Sequence, residues 1–303
     1  MQRRSGAMSA IETRDLQTPT SRIVYRIRRG EGPPVVFISG GPGMPDYLRR
    51  VADVLEVRPT VTYDQRGTGG SRALNGDYSV AAHVADLDAL RIDLQAEKLH
   101  VFGHSWGGLL AQLYATEHPD RVASMLLFSP STDVGSGWKP MERDVVRFSR
   151  EHMTSPSFAA VGALSILGHA PGSFGRWALG QMYRRVWRAY QQDGKVIDAD
   201  LVVLAGVGRE ATYRTRASIM ALPDDTLIRV LPSGRIPTYF VYGERDIYGG
   251  HVDRVRARNP RARFEIWNGT GHLAWLDDAP RFRATLREFF EPRAVSERRA
   301  GQA

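Results

Sequence analysis

A serine, an aspartate and a histidine stand in three glycine-containing segments of the chain. Ser105 is the centre of a Gly-His-Ser-Trp-Gly pentapeptide, Asp246 ends a Tyr-Gly-Glu-Arg-Asp segment, and His272 follows Gly-Thr-Gly. A serine hydroxyl is a weak nucleophile near neutral pH unless an imidazole takes its proton and a carboxylate orients that imidazole. The three side chains therefore predict a serine hydrolase with a Ser-His-Asp triad that acts through an acyl-enzyme.

The order and local context of the three residues support this prediction. Ser105 follows the apolar run Leu99–Phe102 and precedes a helix-like segment, as a nucleophile elbow requires. The order serine, acid, histidine is that of α/β-hydrolases and differs from the orders in chymotrypsin and subtilisin. Glu244 and Asp253 are alternative carboxylates near Asp246.

A second glycine-rich segment predicts the oxyanion hole. Ser-Gly-Gly-Pro-Gly at 39–43 follows the strand-like Val35–Ile38. The backbone N–H groups of Gly41 and Trp106 would stabilise the negative oxygen of a tetrahedral intermediate. Glycines in this loop would let a substrate approach the main chain closely.

A further glycine-rich segment, Asp64–Ser71, lacks the Gly-Lys-Ser/Thr ending of a phosphate loop and is interpreted as a structural turn. The histidines and carboxylates show no metal-ligand spacing such as His-Glu-x-x-His. We therefore predict neither a metal nor a cofactor.

Composition narrows the classes of partner. The chain has 303 residues, 42% of them hydrophobic, which suffices for a full core. The net charge of +8 comes from dispersed arginines, and their densest cluster, Arg184–Arg188, is typical of a solvated helix face, so no nucleic-acid partner is expected.

No apolar stretch approaches the roughly 20 residues of a membrane span, and the basic N-terminus lacks the apolar region of a secretory signal. With no cysteine in the sequence, we expect a cytoplasmic protein, and its oligomeric state stays open.

The alternation of strand-like and helix-like segments predicts an α/β fold. It runs from residue 22 to 128, stops, and resumes at 237, which favours one core split by an inserted segment. We expect a mostly parallel central sheet with helices on both faces and a helical cap. The predicted units are a flexible tail at 1–20, core at 21–130, cap at 131–235, core at 236–292 and a flexible tail at 293–303.

Several of these motifs together resemble proline iminopeptidases, a family of the α/β-hydrolases. The motifs are Gly40-Gly41-Pro42-Gly43, Asp64-Gln65-Arg66-Gly67 with Ser71, Gly103-x-Ser105-Trp106-Gly107-Gly108, Gly243-x-x-Asp246 and Gly271-His272. The resemblance implies that Ser105, Asp246 and His272 form the triad. It also implies release of N-terminal residues, often proline, from small peptides, so the expected partner is a small molecule or short peptide.

The chain departs from the family pattern at two places. Ser39 stands where the family's glycine block usually opens with histidine. In the cap, family glutamates bind the free amine of the substrate. By resemblance, neutral Gln191 occupies one such position and Glu210 matches the other.

Other functions stay open at this level. Gln191 and the cap aromatics favour an esterase or lactonase acting on a neutral small molecule as the alternative. A non-hydrolytic ligand receptor on the same fold is also compatible with the fold class. A nucleic-acid-binding protein would rest on net charge alone.

Overall fold

A computed structural model describes residues 10–191, 203–228 and 235–291, and within these ranges nine strands form one sheet. The strands are β1 (Ile11–Gln17), β2 (Ser21–Arg28), β3 (Val35–Ile38), β4 (Thr60–Tyr63), β5 (Arg72–Ala73), β6 (Leu99–His104), β7 (Val122–Phe128), β8 (Thr238–Gly243) and β9 (Arg263–Trp267).

The sheet is mostly parallel, as the sequence predicts. Its order is β1-β2-β4-β3-β6-β7-β8-β9, with β5 paired to β2. Pairs from β4 to β9 along this order are parallel, whereas β1, β2 and β5 pair antiparallel at one end. The chain leaves β3 toward β4 on one side and returns to β6 on the other. Ligands of open α/β sheets bind at such a reversal of strand order.

Helices cover both faces of the sheet. They are α1 (Arg49–Ala52), α2 (Val80–Asp93), α3 (Trp106–Glu117), α4 (Trp138–His152), α5 (Ser155–Leu167), α6 (Gly172–Ala189), α7 (Arg209–Met220), α8 (Val252–Arg258), α9 (Ala274–Asp277) and α10 (Ala279–Phe290). None of the helices in the described ranges is long and apolar enough to span a bilayer.

The alternation of side chains along β3 shows why both faces are covered. Val36 and Ile38 pack into one apolar core with α2 and α3, while Val35 and Phe37 pack into a second core with α1 and α10. All four side chains are buried. A strand that is buried on both faces is a continuous apolar run, as this segment is.

The expected flexible tail at 1–20 is wrong for its second half. Residues Ile11–Gln17 form β1, and every one of them pairs with β2. The side chains of β1 are largely exposed and polar, so the strand is held by main-chain hydrogen bonds and leaves no apolar pattern in the sequence. Residues 1–9 and the predicted C-terminal tail at 293–303 lie outside the described residues.

The segment inserted between β7 and β8 is helical in its described residues. It contributes α4 to α7, which are called the cap below. The start of α7 is joined to the core by two main-chain hydrogen bonds. Gly208 N donates to Gly43 O at 2.8 Å, and Gly69 N donates to Gly206 O at 2.9 Å.

Candidate active site

Ser105 occupies a strained turn between β6 and α3. Its backbone has φ 55° and ψ −126°, an unusual conformation for a residue with a side chain. The neighbouring glycines permit this turn because their surroundings leave no room for a Cβ. A Cβ on Gly107 would lie 2.0 Å from the carbonyl oxygen of Ile38, and one on Gly103 would lie 2.6 Å from Gly108 Cα. The sharp turn exposes the hydroxyl above the end of the strands, as in a nucleophile elbow.

Asp246 and His272 meet on loops that follow β8 and β9. His272 Nδ1 lies 3.3 Å from Asp246 Oδ1 and 3.5 Å from Oδ2, and both side chains are buried. The backbone N–H of Tyr248 donates to Asp246 Oδ1 at 3.1 Å, which holds the carboxylate in place. The alternative acid Glu244 instead accepts a hydrogen bond from the N–H of Gly269. The structure therefore brings Asp246 to the imidazole.

The hydroxyl of Ser105 has a partner that the sequence analysis missed. Ser105 Oγ lies 3.3 Å from the hydroxyl of Tyr248, which lies 2.7 Å from Ser131 Oγ. Ser105 and His272 line the same cavity, but no hydrogen bond joins them within the described ranges. The Ser105–His272 contact of the triad stays a prediction. Tyr248 left no signal in the sequence beyond its position two residues after Asp246.

A buried histidine next to the nucleophile supports the position of His272. His104 Nε2 lies 2.9 Å from the backbone carbonyl of His272, and His104 Nδ1 lies 2.5 Å from the hydroxyl of Tyr47. Burial lowers the pKa of His104 well below 6.5, so the ring is neutral and donates from one nitrogen while accepting at the other. The N–H of Gly40 donates to the same Tyr47 hydroxyl at 2.6 Å. This chain of bonds connects the glycine loop after β3 with the loop that holds His272.

The predicted oxyanion donors lie beside Ser105. A Cβ on Gly40 would be 2.7 Å from Ser105 Cβ, so the glycine loop lies directly against the nucleophile. Gly41, at φ 133°, lines the cavity. Trp106 begins α3, and an N–H in the first turn has no acceptor within its own helix.

Gln65 joins the two segments that supply these donors. Its Nε2 donates to Ser39 O at 2.6 Å, and its Oε1 accepts from Trp106 Nε1 at 2.8 Å. The sequence analysis treated this segment as a structural turn and did not identify the bridge.

The cavity above Ser105 lies between core and cap and has a volume of about 610 Å³. Most of its walls are apolar or aromatic. The lining includes Met44, Trp138, Met141, Val145, Phe158, Leu179, Tyr183, Val186, Trp187, Tyr190, Tyr213 and Ile247. Trp177 of α6, another aromatic side chain of the cap, is instead 53% exposed. A cavity of this size and character is typical of a small-molecule site.

Two charged side chains of the cap face this cavity. Glu142 of α4 and Arg216 of α7 both line it and form a two-pronged ion pair. The hydrogen bonds to Glu142 raise the pKa of Arg216, so its guanidinium stays charged. Sequence reasoning missed both residues. Glu142 lies in a charged segment that is typical of a solvated helix.

The two polar cap residues chosen from the family pattern lie elsewhere. Glu210 lines a separate cavity together with Arg72 and Arg176, pairs with Arg209 at 2.8 Å and is about half exposed. Gln191 is buried, and its neighbour Tyr190 lines the cavity, but Gln191 itself is not among the lining residues. The structure therefore does not bring Glu210 or Gln191 into contact with the space above Ser105. In the described ranges, no group of three or more histidine, aspartate or glutamate side chains is arranged to hold a metal ion.

Comparisons with known proteins agree with this architecture. A family profile described as alpha/beta hydrolase fold matches residues 33–279. The chain is 24% identical to a proline iminopeptidase of Lactobacillus helveticus over 283 residues, which cover 88% of this chain and 93% of that protein.

Solved structures show the same fold. A proline iminopeptidase of Mycobacterium smegmatis superposes with a TM-score of 0.68 at 22% identity, covering 92% of this chain and 97% of the other. Est816, described as an N-acyl homoserine lactone degrading enzyme, superposes with a TM-score of 0.64 at 20% identity, covering 91% and 100%. At these identities the likeness establishes architecture and leaves the substrate open.

Proposed function

The chain belongs to the alpha/beta hydrolase fold family, and from this premise we propose that it is a serine hydrolase with Ser105 as nucleophile. The observation that carries the proposal is the strained turn of Ser105 in a cavity that also contains His272, whose Nδ1 lies 3.3 Å from Asp246. Strained backbone at a cavity-facing serine, next to a buried His-Asp pair, is the arrangement that acyl transfer needs.

In the proposed reaction, Ser105 Oγ attacks the carbonyl carbon of the substrate while His272 Nε2 takes the hydroxyl proton. Asp246 holds the imidazole and stabilises its positive charge. The N–H groups of Gly41 and Trp106 stabilise the oxyanion. His272 then gives its proton to the leaving group, and an acyl-enzyme remains. Water, activated by the same imidazole, attacks the acyl carbon and releases the acid.

The leading substrate class is an N-terminal prolyl or other aminoacyl group on a small peptide or aminoacylated metabolite. Two observations support it: the likeness to the proline iminopeptidase of Lactobacillus helveticus, and the carboxylate of Glu142 in the cavity above Ser105. A substrate ammonium would bind beside Glu142 and share it with Arg216. A buried ammonium needs such a partner because its desolvation is costly.

The second candidate is an esterase or lactonase that acts on a neutral small molecule. It is favoured by the apolar walls of the cavity and by Arg216, which already neutralises Glu142 in the structure. A neutral acyl group would fill such a cavity without displacing the ion pair. The lactone-degrading Est816 has the same fold.

The experiment compares substrates that differ in charge and in leaving group. Prolyl p-nitroanilide, a prolyl ester and the cyclopentanecarbonyl ester have similarly shaped acyl groups, and the last lacks the amine. Rapid turnover of the anilide supports the aminoacyl proposal, whereas turnover of the cyclopentanecarbonyl ester alone supports the esterase.

A fluorophosphonate probe should label the parent protein and not Ser105→Ala. Ser173→Ala, at an exposed position of α6, is the matched control and should label normally. An unlabelled parent without turnover would indicate a ligand receptor.

A further inference from the structure

Two hydroxyl groups, those of Tyr248 and Ser131, continue in a row from the hydroxyl of Ser105. The Tyr248 hydroxyl lies 3.3 Å from Ser105 Oγ on one side and 2.7 Å from Ser131 Oγ on the other. Ser131 follows β7 and Tyr248 follows β8, so this row reaches Ser105 across two neighbouring strands. The triad and the oxyanion donors do not account for this row.

We infer that Tyr248 is a catalytic residue that donates a hydrogen bond to Ser105 Oγ and helps this oxygen leave the acyl group when the acyl-enzyme is hydrolysed. The inference rests on the proposed function, because it needs an acyl-enzyme on Ser105. Ser131 is a positioning residue that donates to the Tyr248 oxygen.

The sheet order determines which atom Tyr248 can serve. The oxyanion loop follows β3, on one side of β6, whereas Ser131 and Tyr248 follow β7 and β8 on the other side. The phenol therefore approaches Ser105 from the side away from Gly41. From that side it contacts Oγ itself, whereas the proposed oxyanion donor Gly41 lies on the other side.

Either oxygen of each pair could donate, so the direction is chosen by the requirement that the Ser105 proton reach the base. Burial raises the pKa of Tyr248, so the phenol keeps its single proton and can donate one hydrogen bond. If that bond goes to Ser105, the serine proton is free to point at His272, and Ser131 can donate to the phenol oxygen. If Tyr248 instead accepts from Ser105, the serine proton points away from the base. The row supports activation of the nucleophile only if Ser131 donates to Tyr248 and Tyr248 donates to Ser105.

Packing keeps the phenol in this place. The Tyr248 ring meets the His272 ring edge to face with centroids 5.4 Å apart. The backbone N–H of Tyr248 donates to Asp246. The same residue thus contacts all three members of the predicted triad.

The proposed assistance acts mainly on one half of the reaction. During acylation, a donor on Oγ stabilises the oxygen as its proton leaves but also occupies a lone pair needed for attack, and the two effects oppose each other. During deacylation, water attacks the acyl carbon and His272 takes its proton. The C–Oγ bond then breaks, the electron pair stays on Oγ, and Oγ receives the proton from His272. A donor hydrogen bond to Oγ lowers only the cost of this departure, and the phenol proton stays on Tyr248.

The test is pre-steady-state hydrolysis of a p-nitrophenyl ester by the full chain and by Tyr248→Phe, which keeps the ring and removes the hydroxyl. We expect the burst of acylation to change less than about threefold and deacylation to slow ~10-fold or more, the effect of one hydrogen bond to a developing charge. Intact-protein mass spectrometry should show acylated Ser105 accumulating in the variant. An unchanged deacylation rate, or an equal fall in both steps, would overturn the inference.

Ser131→Ala provides a second reading, because it leaves the Tyr248 side chain in place. It should slow deacylation less than Tyr248→Phe and add nothing in the double variant, because it acts through the phenol. A full additional effect in the double variant would exclude that connection. A parent protein that forms no acyl-Ser105 would refute the proposed function together with this inference. A parent that acylates normally beside variants with normal deacylation would refute the inference alone.

Discussion

Glu142 of α4 and Arg216 of α7 form an ion pair in the lining of the cavity above Ser105, with side chains that are 30% and 38% exposed. The pair joins two cap helices and leaves the cavity with no net charge from these groups. Whether the cavity binds a substrate with a charged amine therefore depends on whether that amine can compete with Arg216 for the Glu142 carboxylate.

Glu142→Gln tests this competition. For an aminoacyl substrate, we expect kcat/KM for prolyl p-nitroanilide to fall ~10-fold or more, mainly through KM, because a charged hydrogen bond is lost and Arg216 is left to repel the ammonium. The cyclopentanecarbonyl ester should change less than threefold. Glu210→Gln, whose side chain lines the other cavity, is the matched control and should leave both substrates unaffected. Equal losses on both substrates would contradict a role in charge recognition.

Asp246→Asn should lower kcat by about 10³- to 10⁴-fold, because an amide leaves the imidazole in the wrong tautomer and does not stabilise its positive charge. KM should change little. Steady-state kinetics on the best ester of the panel measures the effect. Asp253→Asn, on α8, is the control for the neighbouring carboxylate and should retain activity. If Asp253→Asn instead removed activity, the assignment of the acid would be wrong.

Two glycine substitutions should affect stability in opposite directions. Gly107→Ala places a Cβ 2.0 Å from the carbonyl oxygen of Ile38, a backbone atom that cannot move aside, so we expect a loss of several kcal/mol or failure to fold. Gly162→Ala lies in α5, where a Cβ meets nothing within 4 Å, and should gain about 0.5–1 kcal/mol from helix propensity. Urea denaturation followed by circular dichroism measures both. A Gly107→Ala protein as stable as the parent would contradict the close packing of the elbow.

Stability should fall as the pH drops below about 6.5. Burial, aided by nearby Arg66, lowers the pKa of His83 to about 3, while a histidine in the unfolded chain titrates near 6.5. Between these values the unfolded chain binds a proton that the folded chain does not, which costs up to about 1.4 kcal/mol per pH unit. His83→Gln should flatten this slope between pH 6.5 and 4 in denaturation curves. An identical slope in the variant would show that His83 does not contribute.

Local patterns explain which parts of the fold the sequence could predict. The run Leu99–Phe102 and the pentapeptide around Ser105 predict strand, turn and helix because each signal lies within a few neighbouring residues. β6 and α3 lie there in the structure. The parallel sheet follows from the repeated alternation of such segments. In contrast, β1 was missed because a strand held at the sheet edge by main-chain bonds needs no apolar side chains.

The missed site residues share a different reason. Tyr248, Gln65 and Glu142 lie in separate segments and reach the site only through tertiary packing. Their spacing along the chain carries no periodic signal. Glu210 is the opposite case, a predicted site residue that lies elsewhere. The helix α7 turns Thr212, Tyr213 and Arg216 toward the cavity above Ser105 and turns Glu210 toward the separate cavity. The face that a helix presents depends on packing that a loose motif match does not contain.

The main-chain hydrogen bond from Gly208 to Gly43 connects the cap to the segment that carries Gly41. A Cβ on Gly43 would lie 2.1 Å from Thr212 Oγ1, so the first turn of α7 rests directly on that segment. Any swing of α7 away from the sheet would therefore pull on the segment that carries Gly41, the proposed oxyanion donor. Among the cap helices, α7 is therefore the one whose displacement would reach the proposed oxyanion loop through a direct main-chain bond.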